Sequence, residues 1–363
     1  MKRLFVFLLM SLIALASCGP GTTAPTESPT VTQSPEPLQV RVMTHDSFDI
    51  GEETLAAFES KYDAEVEILQ VGDAGILLNQ AILSADNPMA DVLYGVDNTL
   101  LSRALDADIL EVYKSPLLTE IPDYLEVDPQ HRALPVDYGN VCLNYDKSWF
   151  AERELAPPAN LEDLVKPEYR SLTVVENAAT SSTGLAFMLT TIGHFGETGD
   201  YTYLDYWSDL RDNDVLVAGG WEDAYWSQFT YGSGGEGDRP IVVSYASSPP
   251  VEVHFAEEPF EEAPTAAVVS DGSCFRQIEF VGILKGAQNR DLAEKWVDFM
   301  LGATFQNDIP LHMFMFPANE KATLPDVFVD FAMIPDHPAE VEHTSIESDR
   351  EMWVEAWTEA VLR

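Results

Sequence analysis

The chain has 363 residues, with 61 Asp and Glu against 20 Lys and Arg, for a formal net charge of -41. A surface so acidic repels nucleic acid and anionic lipid, and it favours cationic ligands only in a general way, so it excludes a nucleic-acid-binding class and names no substrate. Seven scattered His and three Cys, without C-x-x-C or H-x-x-x-H spacing, give no metal site and no cofactor to expect.

The N-terminus carries an address. Met1-Lys2-Arg3 precedes an apolar run from Leu4 to Ala16 that ends in Leu15-Ala16-Ser17-Cys18-Gly19. A basic start, an apolar run and small residues before a cleavage point describe an export signal. The Cys at that point resembles the acylated Cys of a lipobox, so residues 1–17 are expected to be removed and Cys18 to carry lipid. The apolar run of about 13 residues falls short of the ~20 that span a bilayer. Residues 18–37, rich in Pro, Thr and Ser, predict a disordered tether. The expected location is extracytoplasmic, anchored to the cell membrane on its periplasmic or outer side.

Roughly 325 residues follow, more than the usual ~100–200 of one domain, which predicts two lobes. Leu38 to Met43 reads as a strand, Glu52 to Tyr62 as a helix and Ala64 to Leu69 as a strand; Ile76 to Ser84 and Ala90 to Tyr94 repeat the alternation. Strands separated by helices predict a parallel sheet covered on both faces. The order recurs with a helix from Leu161 to Val165, a strand from Leu172 to Val175, helices after Ser182 and from Trp221, and a strand from Ile241 to Ser244. Val141 to Tyr145 and Phe275 to Leu284 read as strands crossing between lobes, and helices from Arg290 to Leu301 and from Glu347 to Leu362 finish the chain. The expected division is 38–141 plus 276–363 for lobe 1 and 142–275 for lobe 2. Thr230 to Asp238, rich in Gly, reads as a mobile loop. Cys142 and Cys274 are an even pair outside the reducing cytosol; a disulfide is permitted, and two buried thiols are the alternative.

Seven short motifs stand in order along this frame. They are Thr44-His45-Asp46-Ser47-Phe48, Gly72-Asp73-Ala74-Gly75, Ala90 to Asn98, Thr180-Ser181-Ser182-Thr183-Gly184-Leu185, Gly220 to Tyr225, Ser244 to Pro249, and Phe305 to Pro310 followed by Phe314-Met315-Phe316-Pro317. Together, from about Val40 to the C-terminus, they resemble the thiamine-binding proteins of bacterial ABC importers. The resemblance implies a periplasmic-binding-protein fold: two α/β lobes joined by hinge strands, closing on thiamine or its phosphates and presenting the ligand to membrane permease subunits. It implies no catalysis and a monomer.

Thiamine joins a thiazolium cation to an aminopyrimidine and a hydroxyethyl arm, so it needs π faces, a carboxylate and small donors. By the resemblance Trp221 and Tyr245 line the ligand, and a cation over a Trp face gains ~0.5–2 kcal/mol. Asp73 matches an acidic site residue and also reads as a helix N-cap, with Ala74 offering its backbone. Ser181 and Ser182 stand at a helix N-terminus suited to an oxygen of the arm, and Ser247 and Ser248 precede Pro249 similarly. Tyr225, one turn beyond Trp221, either walls the cleft or packs behind it. Asp97-Asn98 reads first as a cap. The family has Tyr where His45 stands and Trp where Phe314 stands, so cation attraction should be weaker here. Protonated His45 would repel a thiazolium, which predicts weaker binding as pH falls through ~6.5. A polyamine carrier would also use carboxylates and aromatics, an iron carrier would want adjacent Tyr ligands, and a surface-anchored hydrolase would need two of the many carboxylates.

Overall fold

The computed structural model describes residues 38–256 and 261–363, so the expected signal, Cys18 and the tether lie outside the described residues. Ten strands form one sheet: β1 (Leu38–Thr44), β2 (Ala64–Gln70), β3 (Val92–Asp97), β4 (Leu134–Asp146), β5 (Thr173–Glu176), β6 (Leu216–Ala218), β7 (Ile241–Tyr245), β8 (Thr265–Val268), β9 (Phe275–Ile283) and β10 (Phe316–Pro317). Their spatial order is β2-β1-β3-β9-β4-β7-β5-β6, with β8 and β10 also on β4.

The sheet has two parallel ends. β1 lies parallel to β2 and β3, and β5 lies parallel to β6 and β7. Helices Glu52–Tyr62 and Ala74–Leu83 connect the first three strands, as the alternation predicts. Glu52 and Glu53 open the first helix and Lys61 closes it, which complements the helix dipole. Phe58 on its buried face packs edge-on against Trp296, with ring centroids 4.8 Å apart.

Between these ends, where the crossing strands are expected, the pairing is antiparallel. The first part of β4 pairs with β9 and its second part with β7 and β8, so one strand runs from one parallel set into the other. β4 begins at Leu134, earlier than its apolar run suggests. Pro135, which cannot donate to the ladder, sits where the β4–β9 register shifts. Val141 faces Phe275 in that register, and Cys142 and Cys274 next to them are disulfide-bonded with Cα atoms 4.4 Å apart.

Helix Ser182–Phe195 is buried for most of its length and lies under the sheet. The C-terminal helix His343–Leu362 packs Trp357 edge-on to Trp207, and Arg211 donates to the Ala360 carbonyl at 2.5 Å. It therefore sits with the second strand set, although the expected division grouped it with the first. Leu161–Val165 is a 3-10 turn, and the helix expected from Trp221 is one α-turn, Trp221–Asp223, that widens into a π-turn at Ala224–Gln228. The loop read as mobile is cross-tied: Gly235 N donates to the Thr230 carbonyl at 2.8 Å, and the Thr230 hydroxyl to Asp146 at 2.6 Å.

Candidate functional site

A cleft of about 350 Å³ opens where the C-terminal ends of β1 and β7, the crossing strand β9 and the starts of two helices meet. Its first side begins with Asp73. This carboxylate caps its own helix, with Oδ1 accepting from Ala74 N at 2.7 Å. It also reaches the other strand set: Oδ1 accepts from Ser182 N at 3.0 Å and Oδ2 from Trp221 N at 3.2 Å. Gly75 N donates beside it to the Thr180 carbonyl at 3.2 Å, and a Cβ on Gly75 would stand 2.6 Å from that oxygen. Only glycine permits this approach, so Asp73 and Gly75 together form a latch across the cleft.

His45 follows the last residue of β1 and is 7% exposed. Its ring lies over Gly95, whose φ of +99° falls where the β3–β9 register shifts; a Cβ there would be 2.2 Å from His45 Cδ2. His45 Nε2 stands 3.6 Å from Glu279 Oε1, an ion-pair distance too long for a direct hydrogen bond. Tyr94 donates to Glu279 Oε2 at 3.1 Å and also contacts Asp137. Burial opposes charge on His45, but Glu279, then Asp73 and Asp46, hold its pKa above the ordinary 6.5. Burial likewise opposes charge on Glu279, yet His45, Tyr94 and Asp137 bring its pKa below the ordinary range. Asp137, buried beside Glu279, is pushed well above it. These shifts favour the imidazolium of His45, the carboxylate of Glu279 and the protonated form of Asp137.

The opposite side is aromatic. Trp221 stacks on Tyr225 at 5.0 Å and 20°, and its Nε1 donates to Ser244 Oγ at 3.0 Å. Tyr245 lies 6.4 Å from Trp221 and donates to Gln277 Oε1 at 2.9 Å; Gln277 in turn donates to Asp97 at 2.6 Å. The Phe314 ring meets Trp221 edge-on at 6.1 Å. Its φ is +61°, unusual for a bulky residue, and the Ser247 hydroxyl donates to its carbonyl. Trp226, 45% exposed, stands at the mouth.

Of the residues expected from sequence, His45, Asp73, Ala74, Ser182, Trp221, Tyr245 and Phe314 line this cleft. The other four sit behind it. Ser181 caps its helix through Gly184 N at 3.4 Å, Ser247 holds Phe314, and Ser248 shares a 3.0 Å contact with Ser244. Tyr225 is fully buried and donates to Glu252. Asp97 accepts from Thr99 N at 3.1 Å and Leu100 N at 3.2 Å in the turn before helix Leu101–Asp106, whose N-cap is Leu100, so it holds that turn and is not the cap read first. Sequence reasoning missed Glu279, Glu222, Asp46 and Trp226, which also line the cleft. Glu279 carried a signal: it is a carboxylate within the apolar strand Phe275–Ile283, and such residues are seldom buried without a partner. Among the described residues no Lys or Arg lines the cleft.

The family of bacterial extracellular solute-binding proteins matches residues 87–330. The chain belongs to that family. This solute-binding protein is 29% identical over 326 residues to the thiamine-binding periplasmic protein of Salmonella typhimurium, covering 89% of this chain and 93% of that one. Identity to the thiamine-binding periplasmic protein of Escherichia coli is also 29%, over 334 residues and with the same coverage. A solved periplasmic thiamin binding protein superposes with a TM-score of 0.77 at 27% identity, covering 90% of this chain and 96% of that one. A ferric binding protein from Campylobacter jejuni, at 18% identity and a TM-score of 0.69, shares the fold alone. The solute-binding protein accordingly has the two-lobed α/β fold of periplasmic binding proteins and works outside the cytoplasm.

Proposed function

We propose that this chain is the thiamine-binding component of an ABC importer, holding its ligand in the cleft without chemical turnover. The observation that carries the reading is the pairing of an aromatic wall with a carboxylate floor, free of Lys and Arg among the described residues. A thiazolium over the Trp221 face gains ~0.5–2 kcal/mol, and Glu279 supplies a counter-charge. His45, Asp73, Ala74, Ser182, Tyr245 and Phe314 complete the proposed contact set. Two lobes, 38–141 with 276–342 and 142–275 with the C-terminal helix His343–Leu362, close as ligand shifts the open and closed populations. The latch at Asp73 then joins them.

The protein would act as a monomer that delivers its ligand to permease subunits. Acylation at Cys18 and the tether would keep its concentration near that permease high. Calorimetric titration of the full-length chain with thiamine and with spermidine tests the reading. One thiamine bound per chain, with no heat from spermidine, is expected. Heat from spermidine alone would move the ligand to the polyamine class, and absence of heat from thiamine would overturn the proposal.

A further inference from the structure

Two routes lead from Trp221 to one short helix behind the aromatic wall, Ser248–His254. The first starts at the indole: Nε1 donates to Ser244 Oγ at 3.0 Å, and Ser244 meets Ser248 at 3.0 Å. The second starts at the ring face. Trp221 stacks on Tyr225, whose hydroxyl donates to Glu252 Oε1. Ser248 and Glu252 stand one turn apart on the same face of that helix. Tyr225 itself lies in the π-turn Ala224–Gln228, a widened backbone frequent at functional sites.

Glu252 is held from its other side as well. Thr265 of β8 donates its hydroxyl to Oε2, so each carboxylate oxygen accepts from one hydroxyl. Burial pushes the Glu252 pKa up to about 7; the Thr265 and Tyr225 hydrogen bonds oppose that rise, Asp146 adds to it and Lys147 opposes it. Tyr231 lies within charge range of the same carboxyl. His254 on the same helix is exposed, and Glu262 and Asp330 line a cavity of about 210 Å³ together with Lys147 and Thr265. A carboxylate accepts from both hydroxyls at once. A protonated carboxyl must donate its own hydrogen, which leaves one good acceptor for two donors.

Resting on the thiamine reading above, we infer that Glu252 is a positioning residue: without touching ligand, its carboxylate fixes Tyr225 and, through it, the plane of Trp221 that receives the thiazolium. Protonation of Glu252, or its replacement by an amide, slackens the stack and weakens binding.

The test is calorimetric titration of full-length Glu252→Gln and Tyr225→Phe with thiamine across pH, each compared with the unsubstituted chain at the same pH so that the titration of His45 cancels. Circular dichroism verifies the fold of each variant. At about pH 8.5 each should bind about three- to tenfold more weakly than the unsubstituted chain, and at about pH 6 the difference should narrow to within about twofold. The midpoint of that change should lie close to the Glu252 value of about 7. The double variant should lose no more than either single one, because both break the same bond. Tyr225→Phe keeps the stacked ring, so it carries the same profile even where Glu252→Gln does not fold. Affinities equal to that of the unsubstituted chain at every pH would overturn the inference and leave the thiamine reading intact. A loss that is constant in pH, or losses that add in the double variant, would overturn it too and make Glu252 a structural residue. Absence of binding by the unsubstituted chain would overturn both.

Discussion

The two sides of the cleft are built on opposite terms. On the aromatic side the polar atoms of Trp221, Tyr225 and Tyr245 have hydrogen-bond partners, and Trp221 and Tyr225 belong to a packed cluster with Val174, Phe229 and Val242. On the acidic side His45 Nε2 and Asp137 Oδ1 are buried without a hydrogen bond. The wall contributes to folding whether or not ligand is present. The floor holds charge at a cost to folding, which is the pattern of groups kept for binding.

Removing a wall residue should therefore injure fold and binding together. Trp221→Ala should lower stability by about 3–5 kcal/mol in urea denaturation and abolish measurable thiamine binding; a loss below about 1 kcal/mol would mean that the wall is not a packed unit. On the floor, the two properties should separate. Glu279→Gln should weaken thiamine binding by about 10- to 100-fold in calorimetry, with the fold retained. An unchanged affinity would remove Glu279 from ligand contact.

The floor should also respond to pH. As pH rises through the raised pKa of His45, the imidazolium loses its proton and Glu279 becomes free to face the ligand cation. Asp73, Asp46 and Glu222 add negative charge to the same cavity. Binding should strengthen by several-fold between about pH 6 and pH 9, with a midpoint above the 6.5 expected from an isolated His. Stability should move the other way. The His45 contribution is fully present below 6.5 and is lost as pH rises through its folded pKa, whereas that of Glu279 is lost in acid as its lowered pKa is passed. Flat affinity across the range would detach His45 from the site.

The smallest effect is expected at Asp137. Burial and the neighbouring Glu279 push its pKa well above the ordinary carboxyl range, so the neutral side chain of Asp137→Asn keeps the shape and the charge state that those two causes favour. Thermal unfolding should register less than about 1 kcal/mol of change. A loss above about 2 kcal/mol would make Asp137 the charged member of the pair.

Local order was readable where periodicity and caps agree. Helix Glu52–Tyr62 and helix Arg290–Leu301 have the bounds that their apolar spacing predicts, and Trp221 and Tyr245 stand on the cleft side by side. Long-range pairing was less legible. No residue in Leu134–Asp146 announces that this strand divides its length between β9 and β7, because register depends on partners far away in the sequence. The serines illustrate a different loss. Ser181, Ser247 and Ser248 resemble ligand donors in sequence, but their hydroxyls are used to hold a helix end and the aromatic residues. Glu279 was overlooked because an isolated carboxylate in an apolar strand becomes a binding group only once His45, Tyr94 and Asp137 are seen around it.

The bond between Cys142 and Cys274 has a further consequence. It spans 132 positions of sequence and encloses β5 to β8, together with Trp221 and Tyr245, in a covalent ring. A peptide bond cut anywhere inside that ring, as in the exposed stretch around Gly235 and Glu236, would open the ring without releasing a fragment. A protease-nicked molecule would migrate as one piece on a non-reducing gel and as two once the bridge is reduced. In the degradative surroundings outside the cytoplasm, the ring converts a severed backbone into a survivable injury.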